Sequence, residues 1–133
     1  MIDVPAFVKT ILELGADGTA LEGVSIRVGR LEPADEPPVG LLETAGAIHD
    51  ETLPAYLPFR VSLTCYAATP WGADQLYGAA TDLLHRDGPL VIDGIGLWRA
   101  FDETGPSPRD DANTNWSATF GVVALYMPDV ALT

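Results

Sequence analysis

Lysine is nearly missing from this chain: Lys9 is its only one, and seven basic residues face 19 acidic ones, for a formal net charge of −12 over 133 residues. A protein that grips nucleic acid needs a basic face to replace phosphate counterions, so groove binding is disfavoured. An acidic wall can still line a passage for DNA, because repulsion keeps a polyanion from adhering. Cysteine is equally scarce. Cys65 stands alone, so no disulfide can close within the chain, nothing points to an oxidising compartment, and the residue reads as a small core side chain. Only two histidines are present, His49 and His85, which limits acid–base and metal chemistry. No apolar run approaches the ~20 residues that span a bilayer, and the first ten residues have no basic n-region before an apolar stretch. The expectation is a protein without membrane contact that stays in the cytoplasm of the cell that makes it.

What is present is enough apolar material, 47% of residues, to bury the core of one domain spanning 1–133. Val4, Phe7, Val8, Ile11 and Leu12 recur at helical spacing between Asp3, a suitable N-cap, and Gly15, a suitable stop. Val24, Ile26 and Val28 alternate with Ser25 and Arg27 as in a half-buried strand. The stretch 31–58 holds Pro33, Pro37, Pro38, Pro54 and Pro58 among many acids, shows no sustained period, and reads as a long partner-binding loop. Phe59, Val61, Leu63 and Cys65 then alternate with Arg60, Ser62, Thr64 and Tyr66, marking a strand at the centre of a sheet.

Thr69-Pro70 signals a second helix with an apolar stripe of Ala73, Leu76, Tyr77, Ala80, Leu83 and Leu84, ended by Gly88-Pro89. Asp93-Gly94 sits between Leu90–Ile92 and Ile95–Phe101 as the turn of a hairpin. A second acidic loop is expected over 102–114. Trp116 to Tyr126 reads as a final strand, with Phe120 and Val122 on one face and Pro128 at its end. The order implies an α+β fold: a mostly antiparallel (mixed) sheet of four to five strands with two helices packed on one face.

No catalytic constellation emerges. Gly94-Ile-Gly96 lacks the third glycine and the following helix of a dinucleotide fingerprint and suits a hairpin instead. His49-Asp50-Glu51 offers three adjacent polar side chains, which rarely converge on one metal, and reads as a solvated loop. His85 with Arg86 suits the end of a helix, where positive charge complements the dipole. Asp110-Asp111 with Asp102 and Glu103 matches no calcium-loop spacing. No metal, cofactor or catalytic residue is therefore assigned, and the chain reads as a non-enzyme. Trp71, Trp98 and Trp116 suit either interface anchors or ordinary core packing.

The run Val24-Ser-Ile-Arg-Val-Gly-Arg, the proline-rich stretch, Phe59-Arg-Val-Ser-Leu-Thr-Cys-Tyr-Ala and the alanine-rich helix from Pro70 to His85 together resemble the tail terminator proteins of long-tailed, siphovirus-type bacteriophages. The resemblance covers nearly the whole chain through the order and spacing of elements. It implies a structural virion protein that forms a homohexameric ring at the head-proximal end of the tail. Such a ring ends tail-tube polymerisation and offers the head-joining surface.

The partners it implies are further copies of the chain, the tail tube protein and a head–tail connector or neck protein, with DNA passing the channel unbound. On this reading Asp102, Glu103, Asp110 and Asp111 face the channel. Arg27, Arg30, Arg60, Trp71 and Trp98 serve a heterologous subunit contact, although an intrachain ion pair would employ Arg27 or Arg60 equally well. The competing readings are another connector or tail-completion protein, and a small ligand-binding or enzymatic α+β domain, which would need polar groups converging on a pocket.

Overall fold

A computed structural model describes residues 3–47, 56–85, 90–92, 94–97, 99–110 and 115–128. Helix α1 spans Val4–Leu14. Its first turn is closed by the Asp3 carboxylate, which accepts a hydrogen bond from the Ala6 amide at 3.1 Å, and Gly15 follows its last turn. Helix α2 spans Pro70–Leu84, capped by the Thr69 hydroxyl accepting from the Gly72 amide at 3.0 Å. In both helices proline stands in the first turn, where its missing N–H costs nothing.

Five strands, β1 (Ser25–Val28), β2 (Val39–Ala47), β3 (Tyr56–Ala67), β6 (Arg99–Asp110) and β7 (Ser117–Pro128), form one sheet in the order β1-β2-β3-β7-β6. Strands β1 and β2 run parallel, and the other neighbours are antiparallel. Strands β4 (Leu90–Ile92) and β5 (Ile95–Leu97) pair separately as a short hairpin. There Gly94 takes the positive φ of 77° that the turn demands. Its neighbour Asp93 lies outside the described residues.

Both helices lie on one face of the sheet. Their apolar stripes, Val4, Phe7, Val8, Ile11 and Leu12 from α1 and Ala73, Leu76, Tyr77, Ala80 and Leu84 from α2, join Ile26, Leu42, Val61, Leu63, Cys65, Val123, Leu125 and Met127 in a single core. The strand contributors are alternate residues, as the pleat requires. The Cys65 thiol is pushed up to about 12 by its burial in this core, which makes it an inert packing group.

The α+β class, the helices, the centrality of β3 and the antiparallel bias agree with the sequence reading. Three expectations are corrected. The stretch 31–58 is not a single loop, because Val39–Ala47 is strand β2, wedged between β1 and β3. Proline and acid flank this segment on both sides and mask it. Its contiguous Val39-Gly-Leu-Leu lacks the alternation of a strand with one wet face, because both faces are covered here: Val39 and Leu42 are fully buried and Leu41 nearly so.

The acidic stretch 102–114 is likewise strand β6 up to Asp110, hydrogen-bonded to β7. Pro106 and Pro108 are tolerated because β6 is an edge strand, and the register shifts between Asp102 and Ser107 explain the absent period. The anticipated strand Ile95–Phe101 is divided, its first half in the hairpin and its second in the main sheet.

Candidate functional site

The sheet has a second face that the helices leave open, and strand register determines which positions share it. Tyr66 is aligned with Ala118 and Arg109, Thr64 with Phe120 and Ser107, and Ser62 with Glu43, Val122 and Thr104. Arg60 is aligned with Ala124, and Tyr126 with Arg99. The opposite parity belongs to the core: Thr119 donates to Asp74 of α2 at 2.6 Å, and Gly121 lies against the Tyr77 ring.

Aromatic side chains dominate the helix-free face. Tyr66 and Trp116 meet edge to face with ring centroids 5.8 Å apart and planes at 70°, the favourable quadrupolar arrangement. Phe120, Val122 and Tyr126 are half-buried beside small side chains at Ser62, Thr64, Ala118 and Ala124.

At its β1 end this face is closed by a turn. Arg27, aligned with Leu41, donates from Nε to both carboxylate oxygens of Asp35 at 3.1 Å and from Nη2 to Oδ1 at 2.8 Å. Glu32 lies 3.6 Å from the same guanidinium, and its amide donates to Asp35 at 2.7 Å. Hydrogen bonding to Arg27 and to that amide holds the Asp35 carboxyl below the usual carboxylate range, and Asp35 in turn raises Arg27. A bidentate pair of this kind orders the turn. Arg27, anticipated as a subunit contact, is thus engaged within its own chain.

The other anticipated residues are scattered. Arg30 is exposed just beyond β1. Arg60 is half-buried on the helix-free face. Trp71 stands on the first turn of α2 with 72% of its surface exposed. Trp98 and Asp111 fall outside the described residues. Asp102, Glu103 and Asp110 belong to β6, with Asp102 and Asp110 aligned with Val123 and Ser117. The three described acids thus stand on a strand and not in a loop. His49-Asp50-Glu51 is also outside the described residues, and His85 caps the C-terminus of α2.

Among the described residues no group of three His, Cys, Asp or Glu side chains converges to hold a metal ion. Two shallow grooves run beside α2. One, of about 420 Å³, is lined by Thr19, Ala20, Asp74, Gln75, Gly78 and Asp82 among others. The second, of about 470 Å³, lies between Ile11, Leu14, Asp82, Leu83, Leu90 and Ile92. Their ionisable lining consists of Asp74 and Asp82. No helix among the described residues is long and apolar enough to cross a membrane.

Sequence reasoning missed the aromatic face as a unit. Phe120 and Val122 were legible as one face of a strand, but Tyr66 and Trp116 join them only through β3–β7 register. The Arg27–Asp35 lock left a weak signal, an acid eight positions after an arginine in a turn.

No protein-family model matches this chain, and no curated protein matches it. Among solved structures it is similar to a chain of the virion of a native gene transfer agent (GTA) particle, with a TM-score of 0.64, 15% sequence identity, and 91% of each chain covered. At that identity the likeness establishes a shared fold: the same two-helix, mixed-sheet arrangement over nearly the full length of both chains.

Proposed function

We propose that this chain is a structural virion protein that caps the head-proximal end of a phage-type tail tube as a hexameric ring, ending tail polymerisation and providing the head-joining surface. The observation that carries this reading is the full-length likeness to a component of a virion particle, joined to the order of elements that resembles tail terminators. A surface role suits the geometry. The helix-free face and an exposed tryptophan on α2 are the features of a protein whose work is contact.

On this reading the partners are neighbouring copies, the tail tube protein and a connector or neck protein. The protein resides in the tail of the virion after synthesis in the host cytoplasm. The net charge of −12 serves a channel through which DNA slides without adhering, with Asp102, Glu103, Asp110 and Asp111 as the acids assigned to it. Arg30, Arg60, Trp71 and Trp98 remain assigned to subunit contact.

The test is the mass of the purified protein by light scattering across concentrations, alone and with tail tubes added. A six-subunit species, free or nucleated by tubes, is the expected result. A monomer or dimer indifferent to tubes would overturn the ring. Tails of normal length in a deletion mutant, with heads left unjoined, would instead favour another connector or tail-completion protein.

A further inference from the structure

Two features of unlike shape stand at opposite ends of α2. Toward its C-terminal end lies the groove of about 470 Å³ in which Ile11 and Leu14 of α1, Leu83 of α2 and Leu90 and Ile92 of β4 surround one carboxylate, Asp82. Alternation along β4 puts Leu90 and Ile92 on the same side of the strand. A volume within about 300–1,000 Å³ is enough to bury a small ligand. At the N-terminal end stands Trp71. Of the four large apolar side chains exposed among the described residues, Leu14, Val28, Trp71 and Val91, it is the aromatic one. Trp71 and Leu83 are separated by about 18 Å of helix, so the indole cannot fill the groove of its own chain.

The two ends also differ in charge. The segment 67–73 around Trp71 contains no charged residue. At the groove Asp82 is part of the lining, Glu13 and Asp17 stand exposed on either side of Leu14 in the chain, and neither α1 nor α2 has a basic residue in its last turn. Copies of a chain with a net charge of −12 repel each other wherever acid meets acid. An aromatic anchor in an uncharged segment enters an acid-rimmed groove without that cost. Its N–H needs an acceptor once buried, and Asp82 is the acceptor this groove supplies.

We infer that Trp71 of one copy of this chain seats in the groove between α1, α2 and β4 of the next copy, with its N–H donating to Asp82. This inference rests on the ring reading and deepens it by naming an anchor and its socket. The contact is heterologous, so each copy keeps one unused half of the pair for a further neighbour. That is the condition for a ring rather than a closed dimer. A tryptophan buries about 150–250 Å², far less than the roughly 1,600 Å² of a standard interface, so the seated indole is the hot spot of a wider contact. Tryptophan suits that position because it brings a large rigid apolar area at little cost in conformational entropy.

The experiment uses single-sided variants of the full chain. Trp71→Ala removes the anchor, and Leu14→Asp puts a charge into the groove lining. Both side chains are at least 70% exposed, so neither change takes a side chain out of the core, and circular dichroism checks each fold. Asp82→Ala, also at an exposed position, removes the acceptor alone and stands in for Leu14→Asp should that variant not fold. Particle mass is read by sedimentation velocity under the condition in which the wild-type chain forms its ring, alone or with tail tubes.

Trp71→Ala and Leu14→Asp are each expected to weaken self-association by about thirtyfold, the effect of removing a hot spot, and Asp82→Ala by about two- to tenfold, the effect of one hydrogen bond. An equimolar mixture of Trp71→Ala and Leu14→Asp is expected to yield a dimer that grows no further, because the intact Trp71 of one variant meets the intact groove of the other. Rings of unchanged mass in both variants would overturn this contact while leaving the ring standing. Loss of assembly in both without a mixed dimer would also overturn it. So would a Trp71→Ala chain that forms its ring but no longer joins tubes, since Trp71 would then face another protein. A wild-type chain that is monomeric with and without tubes would sink both readings together.

Discussion

The two faces of the five-stranded sheet are made from alternate residues of the same strands, yet they have been put to different uses. On the helix side, Val61, Leu63, Val123 and Leu125 are at most 1% exposed, and α1 and α2 close over them. On the other side the intervening positions of β3 and β7 carry Arg60, Ser62, Thr64, Tyr66, Phe120, Val122 and Tyr126, small hydroxyls and amphipathic rings that no described helix covers. The difference teaches that strand parity alone gives the two faces different chemistry. One face supplies the hydrophobic free energy of folding. The other presents rigid aromatic area beside scarce positive charge.

The sharpest break of that contrast is a deletion within the core. Leu63→Ala removes a fully buried side chain from the middle of β3 and should lower unfolding free energy by about 2–5 kcal/mol, measured by urea denaturation. The same truncation on the open face should act mainly on assembly.

A smaller effect separates two glycines. A Cβ at position 121 would collide with the Tyr77 hydroxyl and lie 2.6 Å from its ring carbon, so Gly121→Ala should cost about 1–3 kcal/mol as α2 shifts away from β7. Gly105, on the β6 edge, has nothing within 4 Å of its added Cβ. Gly105→Ala should stay within about 0.5 kcal/mol in the same melt.

The smallest effect concerns pH. The Asp35 carboxyl is held below its ordinary value in the folded state, so its pairing with Arg27 stabilises fully above the unfolded carboxylate pKa and is lost as pH falls through the lower, folded one. Asp35→Asn should flatten the acid limb of thermal midpoint against pH and leave the slope near neutrality unchanged. An identical acid limb in the variant would remove this lock from the account.

Much of the architecture was legible beforehand for a common reason. Helices α1 and α2 announce themselves through caps at Asp3 and Thr69 and apolar stripes at 3.6 spacing, and β3 through strict alternation. All of these signals are local. Strand β2 stayed hidden because a strand covered on both faces shows a short apolar run without period, and β6 because proline and acid at an edge strand look like a loop. The site was less legible than the fold. Trp71 and Arg60 were recognisable as residue types suited to contact, whereas the aromatic face exists only once β3 and β7 are aligned.

By itself, then, the amino-acid sequence determined the acidic balance that disfavours nucleic-acid grip, the two helices, the central strand and the α+β class, because charge, capping and periodicity act between residues near in the chain. Only the tertiary structure decided that Val39–Ala47 joins the sheet, that Arg27 is consumed by Asp35, and that Tyr66, Phe120 and Tyr126 share the face of the sheet opposite the helices. The strand outcomes depend on register, which is set by hydrogen bonds between residues distant in the chain, and the Arg27–Asp35 pair depends on a turn that folds back over eight positions.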